Sequence, residues 1–168
     1  MSAVLTVALL QIEAAGYDQQ ENLRRGDAAC RQAASLSADI ALFPEMWNIG
    51  YGFEAADGAS APTPASAAAA REAALARWRA QAVARDGPFV AHFAGLAAEL
   101  ELAIAVTYLE EWPGAPRNTV TLLDRRGREV LTYAKVHTCA FDWPEAALTP
   151  GESFPVAALD TAAGPVQV

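Results

Sequence analysis

Residues 39–51 read DIALFPEMWNIGY, and the fold is decided there. Asp39 to Phe43 is an apolar run of buried-strand length, and Pro44 ends it because proline has no N–H to give to a ladder. Glu45 follows at once. A strand that delivers a carboxylate to its C-terminal edge places it where ligands bind in open α/β sheets. Upstream, residues 3–12 (AVLTVALLQI) form another strand-length apolar run. Between the two, Gly16 and Asp18 break the pattern, and Asp18 is suited to cap a helix reaching about Leu36. Leu23, Ala28 and Cys30 to Ala34 give that helix an apolar face of small residues, and Arg24, Arg25 and Arg31 give it a wet one. Strand, helix and strand within about 40 residues predict a β-α-β start, and so a sheet covered by helices.

Farther along, Phe53 to Ser66 is rich in Ala, Gly, Ser and Pro and reads as an exposed loop. Residues 67–85 predict an Ala-rich helix carrying Trp78, stopped by Gly87-Pro88. A helix from Pro88 to Leu100 is expected from Phe89, Phe93, Leu96 and Leu100 at helical spacing. The period then changes to that of strands, at Leu102 to Leu109, Thr119 to Asp124 and Glu129 to Tyr133. Arg126-Gly127 supplies a hairpin turn, and Trp112 with Pro113 and Pro116 marks a hairpin tip. Phe154 to Leu159 is a further strand candidate, Gly164-Pro165 a turn, and Val166 to Val168 the start of another strand.

Composition narrows the function. The 168 residues are 53% apolar and 19% charged, enough to bury a core and too apolar for wholesale disorder. No apolar run approaches the roughly 18 residues of a membrane span. The opening MSAVLTVALLQIE lacks a basic segment and runs into Glu13, so no secretory leader is expected and a cytoplasmic location is. Twelve basic against 20 acidic residues leave a net charge of −8. No basic stripe is present for a phosphate backbone, so neither nucleic acid nor an anionic membrane is an expected partner. Two cysteines fit a reducing compartment better than a disulfide scaffold, and no CxxC or HExxH supports a zinc site.

One count stands out. Eleven of the twelve basic residues are Arg, 40 of the 168 residues are Ala, and Lys135 is the only lysine. A coding bias that favours Arg and Ala leaves lysine where a compact ammonium is needed in place of a forked, permanently charged guanidinium. A chance surface lysine is the plain alternative. Lys135 lies in YAKVHTCAFDWPEAALTPGE, at the end of a hairpin strand, where an ammonium can hold an oxyanion. Glu145 follows ten residues later in a loop. Around Glu45, the aromatic Phe43, Trp47 and Tyr51 are expected to desolvate the carboxylate as a general base requires.

Taken in order, VALLQIE, FPE, RNTVTLLDRRGREVLTYAKVH, the acidic residue before TPGESF and the closing GPVQV resemble the nitrilase superfamily of carbon–nitrogen hydrolases. The resemblance implies an α/β fold, the α-β-β-α sandwich of that type, with residues 1–168 as the N-terminal part of one such domain, incomplete at the C-terminus. It implies a Glu-Lys-Cys triad in which Glu45 is the general base, Lys135 stabilises the tetrahedral intermediate and Glu145 helps position substrate. Trp47, Tyr51 and Trp143 become candidate substrate-binding residues. Small amides or N-carbamoyl compounds are the expected substrates, with nitriles as the alternative, and the family needs neither metal nor organic cofactor. Members commonly self-associate, so a homo-oligomer is expected of the full-length protein. The family's nucleophilic cysteine lies on the strand after the GPVQV-like turn, beyond Val168.

Other cysteines fit that role less well. Cys139 sits in the loop after the lysine, and Cys30 reads as helix packing. His137 and Cys139, at i and i+2 on an extended segment, point to opposite sides, which argues against a Cys-His pair. His92 reads as a surface helix residue. The competing class of function is a non-catalytic binding or assembly module, which would expose an unpaired sheet edge after Val168.

Overall fold

The computed structural model describes residues 4–51, 64–139, 144–162 and 164–168. Val7–Leu9 (β1) and Ile40–Leu42 (β2) pair in parallel, joined by a helix over Gln19–Ser35 (α1). Asp18 caps α1 as expected, its Oδ1 accepting from the Glu21 N–H at 3.0 Å. Two helices, Pro64–Arg79 (α2) and Pro88–Leu100 (α3), lead to Ala103–Glu110 (β3), which lies parallel to β2. From there the chain runs as an antiparallel meander through Arg117–Leu123 (β4) and Glu129–Ala134 (β5). The resulting sheet has the order β1-β2-β3-β4-β5. A separate hairpin, Ala158–Thr161 (β6) with Gly164–Gln167 (β7), ends the chain.

The period-2 alternation of β3 assigns the two faces of the sheet. Ile104, Val106 and Tyr108 point to the side covered by α1 and α3, where they join Phe43, Trp47, Phe89 and Phe93 in the main core. Ala103 and Ala105 point to the other side, where Leu159 of the hairpin packs on them and on Leu122. Arg125 ties that hairpin to the sheet through Asp160 at 3.0 Å. At Gly26, α1 approaches the aromatic cluster so closely that a Cβ would lie 2.9 Å from the rings of both Phe93 and Trp47. The apolar face of α1 therefore differs from expectation. Asn22, Gly26, Cys30 and Ala33 are buried, whereas Ala28 faces solvent.

Several element ends also differ, for identifiable reasons. The first strand is three residues long because Gln11 and Ile12 donate to Leu9 and Leu10, which turns the chain off the ladder. The loop expected over 53–66 lies outside the described residues as far as residue 63, and helix already starts at Pro64. That helix stops at Arg79, not residue 85, because Val83 is drawn onto the end of β3. Its N–H donates to Leu109 O and its carbonyl accepts from Glu111 N, both at 2.9 Å. The last hairpin starts at Ala158, beyond Pro155, which has no N–H for a ladder. Gly164 and Pro165 belong to β7 and not to a turn. Among the described residues no helix is long and apolar enough to cross a membrane.

Candidate active site

Beyond β2 the chain turns sharply through residues 45–49, with Met46 at φ +58°. Buried polar side chains hold this turn. Thr107 Oγ1 donates to Pro44 O and accepts from the Trp47 N–H. Asn48, fully buried, accepts from the Leu109 N–H at 2.8 Å and donates to Gln81 O, while Asn22 donates to the Asn48 carbonyl. Unmade, each of these buried bonds would cost about 1–3 kcal/mol, so the turn is tightly specified. Its outcome is the position of Glu45 at the C-terminal edge of the sheet.

Lys135 reaches the same edge from the end of β5. Its N–H pairs with Asn118 O on β4 at 2.8 Å, and its carbonyl accepts from Gly151 N at 2.9 Å. Glu145 arrives by a different route. A 3-10 turn at Glu145–Ala147 follows Pro144, and the next residues are stitched to the β3–β4 loop by Thr149, which bonds Pro116 O and Ala115 O at 2.8 Å each.

The three side chains meet. Lys135 Nζ donates to Glu45 Oε1 at 2.8 Å and to Glu145 Oε1 at 2.7 Å. Tyr51 donates its hydroxyl to Glu145 Oε1 at 2.6 Å, and the Cys139 backbone N–H donates to Glu145 Oε2 at 2.7 Å. Asn118 Nδ2 donates to Glu45 Oε1 at 2.5 Å and to the Tyr51 oxygen at 3.4 Å. The two carboxylates thus differ in kind. Glu145 is buried and takes three donors on its two oxygens. The Glu45 side chain is 45% exposed, and among the described residues Lys135 and Asn118 both donate to its Oε1.

The electrostatics follow from those bonds. Burial works to raise the Glu145 carboxyl, but Lys135, Tyr51 and the Cys139 N–H outweigh it and hold it at about 2. Partial burial likewise opposes the charge on Lys135, and its bonds to Glu145 and Glu45 overcome this and push it above the usual lysine range. Burial and the neighbouring Glu145 raise the Tyr51 hydroxyl well above the ordinary tyrosine range. Desolvation and Glu145 also raise the Cys139 thiol, the opposite of what activates a nucleophile.

A stability prediction follows. The ordinary Glu145 value of 4.5 is lowered to about 2, so its contribution is complete above about pH 4.5 and fades as the pH falls through about 2. That shift corresponds to a stabilisation on the order of 3 kcal/mol at neutral pH. Denaturant unfolding measured from pH 7 down to 2 should show the wild type losing this margin relative to Glu145→Gln. Parallel pH profiles of the two proteins would contradict it.

Some expectations meet a different environment. Phe43 and Trp47 belong to the main core, and the Glu45 side chain stays 45% exposed, not desolvated as expected. The two rings stack on each other in the core with centroids 5.2 Å apart, and Trp47, only 1% exposed among the described residues, packs beneath the turn. Tyr51 faces the carboxylates, and Trp143 lies outside the described residues. Cys30 is fully buried between α1 and the sheet, and burial pushes its thiol up to about 12. The His137 ring lies against Phe154, 5.8 Å between centroids, while Cys139 turns its N–H to Glu145. His92 is a half-exposed residue of α3, 3.5 Å from Asp27. Asn118, with Thr119, belongs to the paired-strand segment that carries the resemblance, but no chemical role was expected of it.

Residues 6–167 match the family model described as carbon-nitrogen hydrolase. Among solved structures, the chain is similar to a cysteine-to-alanine mutant of the Nesterenkonia AN1 amidase from the nitrilase superfamily. The two share 25% identity at a TM-score of 0.69, over 99% of this chain and 55% of that one. It is also similar to an amidase from Nesterenkonia sp., with 26% identity and a TM-score of 0.62 over 99% of this chain and 54% of that one. A glutamate-to-leucine mutant of the AN1 amidase, with the acetamide moiety of fluoroacetamide added covalently at the active site cysteine, matches at 26% identity and a TM-score of 0.62, over 99% of this chain and 54% of that one. The chain therefore spans about half the length of these structures. No curated protein matches it.

Proposed function

The chain belongs to the carbon–nitrogen hydrolase family, and from that premise we propose that it supplies the base and the oxyanion-holding lysine of a cysteine hydrolase acting on small amides or N-carbamoyl compounds. The observation that carries the reading is the placement of Lys135 Nζ between Glu45 and Glu145, at 2.8 and 2.7 Å. An ammonium fixed by two carboxylates is a preorganised positive charge, which costs no reorganisation when an oxyanion forms beside it. Residues 1–168 form part of one domain in this reading, and the nucleophile comes from chain outside them. Neither cysteine suits the role, because Cys30 is buried and desolvation and the neighbouring Glu145 push the Cys139 thiol up.

The steps assign distinct work to each group. Glu45 takes the proton of the nucleophilic thiol as sulfur bonds to the carbonyl carbon, and the oxyanion forms beside Lys135. Glu45 then returns the proton to the leaving nitrogen as the C–N bond breaks, leaving a thioester. In the second half Glu45 deprotonates water, which attacks the thioester, and the thiol is released with its proton restored. Glu145, which takes three donors and is held at about 2, is unsuited to proton transfer at neutral pH. Its work is to hold Lys135 in place.

The test is ammonia release by the natural polypeptide that contains these residues, measured with small amides, N-carbamoyl amines and nitriles. Turnover of amides or carbamoyl compounds, with nitriles left intact, is the expected result. Selective turnover of nitriles would move the reading to the nitrilase alternative, and release from none of the three classes would overturn it.

A further inference from the structure

Glu45 and Lys135 follow β2 and β5, which β3 and β4 separate in the sheet, and are 90 residues apart in sequence. A carboxylate that is 45% exposed, on a turn, has rotamer freedom of its own. What restrains it lies on β4. Asn118, 6% exposed, sits between the two catalytic candidates and contacts both. Its backbone carbonyl accepts from the Lys135 N–H at 2.8 Å, and its side-chain Nδ2 donates to Glu45 Oε1 at 2.5 Å. The residue's own position is fixed by cross-strand pairing with Leu109 on β3 and by the adjacent Thr119, whose hydroxyl donates to the buried Glu110 carboxylate at 2.7 Å.

We infer that Asn118 is a positioning residue for the proposed reaction: together with Lys135 it occupies Oε1 of Glu45 and so presents Oε2 as the oxygen that exchanges the proton. The inference rests on the reading of Glu45 as the base and adds to it which oxygen acts and what aims it. The Asn118 amide suits this task chemically. It donates without charge, so it orients the carboxylate without competing with the Lys135 ammonium for the oxyanion. Its second N–H points to the Tyr51 oxygen at 3.4 Å, while the Tyr51 proton goes to Glu145, so one short chain of donors orders both carboxylates. Asn118 touches no reacting atom and therefore acts through Glu45.

The experiment compares wild type, Glu45→Gln, Asn118→Ala and Asn118→Asp in the natural polypeptide, using an amide substrate that the wild type turns over. Circular dichroism and thermal melts establish that each variant is folded. For Asn118→Ala the expected result is a fall in kcat of about 10- to 100-fold with KM within about threefold, because an unaimed base affects the proton-transfer step and not substrate capture. Asn118→Asp, which replaces the donor by an acceptor that cannot hold Oε1, lowers kcat at least as far, again with KM little changed. A kcat matching the wild type, or a loss carried by KM with kcat unchanged, in a folded Asn118→Ala protein would overturn the inference. If that variant does not fold, Asn118→Ser is read by the same criteria. Failure of the underlying reading shows separately, as a wild type with no activity or a Glu45→Gln variant that keeps it.

Discussion

Replacing Lys135 by alanine is expected to lower kcat/KM for amide hydrolysis by about 1,000-fold, the scale on which losing an oxyanion donor is felt. Lys135→Arg should recover little of it, even though it keeps the charge. The site is built for a point donor. Nζ lies 2.8 Å from one carboxylate and 2.7 Å from the other, and a planar fork cannot satisfy both from that backbone position and still face an oxyanion. Glu45→Gln should cost a similar factor by a different route, because an amide cannot take the proton of a thiol. The stability effects separate the two changes. Lys135→Ala leaves the buried Glu145 without its cation, a loss on the order of 3 kcal/mol, whereas Glu45→Gln keeps an oxygen for Lys135 and Asn118 and should unfold near the wild type. Adding Glu145→Gln to Lys135→Ala should restore stability without restoring turnover. Ammonia release and denaturant midpoints on the same preparations check both halves. A Lys135→Ala protein within about threefold of wild-type activity would remove this lysine from the mechanism.

The candidate site was legible in the sequence to the extent that its chemistry depends on residue type. A lone lysine among eleven arginines marks itself, and a glutamate directly after a strand-ending proline sits at a sheet edge whatever the details of packing. Periodicity likewise carried the helix over Gln19–Ser35, the helix over Pro88–Leu100 and the β4–β5 hairpin. The aromatic environment of Glu45 was not legible, because Phe43 and Trp47 are as apolar in a cleft as in a core. The direction of their side chains is set by the Met46 turn and by Thr107, 60 residues from Trp47. Asn118 belongs to the segment that carries the resemblance, but its contact with Glu45 was hidden for a related reason. An asparagine in a strand is ordinary until cross-strand register places its amide 2.5 Å from a carboxylate 73 residues away. The end of α2 was lost to a tertiary contact, the bridge of Val83 to Glu110, which no local propensity reports.

Gly151→Ala is expected to damage both stability and catalysis, although no chemistry runs through residue 151. A Cβ at Gly151 would lie 2.1 Å from Ala134 O and 2.8 Å from Ala134 C, a collision with backbone and not with a side chain that can rotate away. Ala134 ends β5 immediately before Lys135, and Gly151 N donates to the Lys135 carbonyl at 2.9 Å. The methyl group must therefore displace either the strand end that carries the lysine or the loop that carries Glu145. Overpacking of this kind costs about 1–3 kcal/mol, and more where backbone cannot yield. A shift of about 1 Å in a catalytic group lowers turnover by roughly 100-fold. Gly95→Ala is the matched control. Gly95 lies in the exposed interior of α3, and a methyl group there would meet nothing within 4 Å, so alanine should stabilise by about 1 kcal/mol and leave activity alone. Denaturant midpoints and ammonia release on the two variants decide the matter. If Gly151→Ala matches the wild type in both, the close approach of the 144–151 loop to β5 does not hold, and Lys135 is positioned by β4 alone.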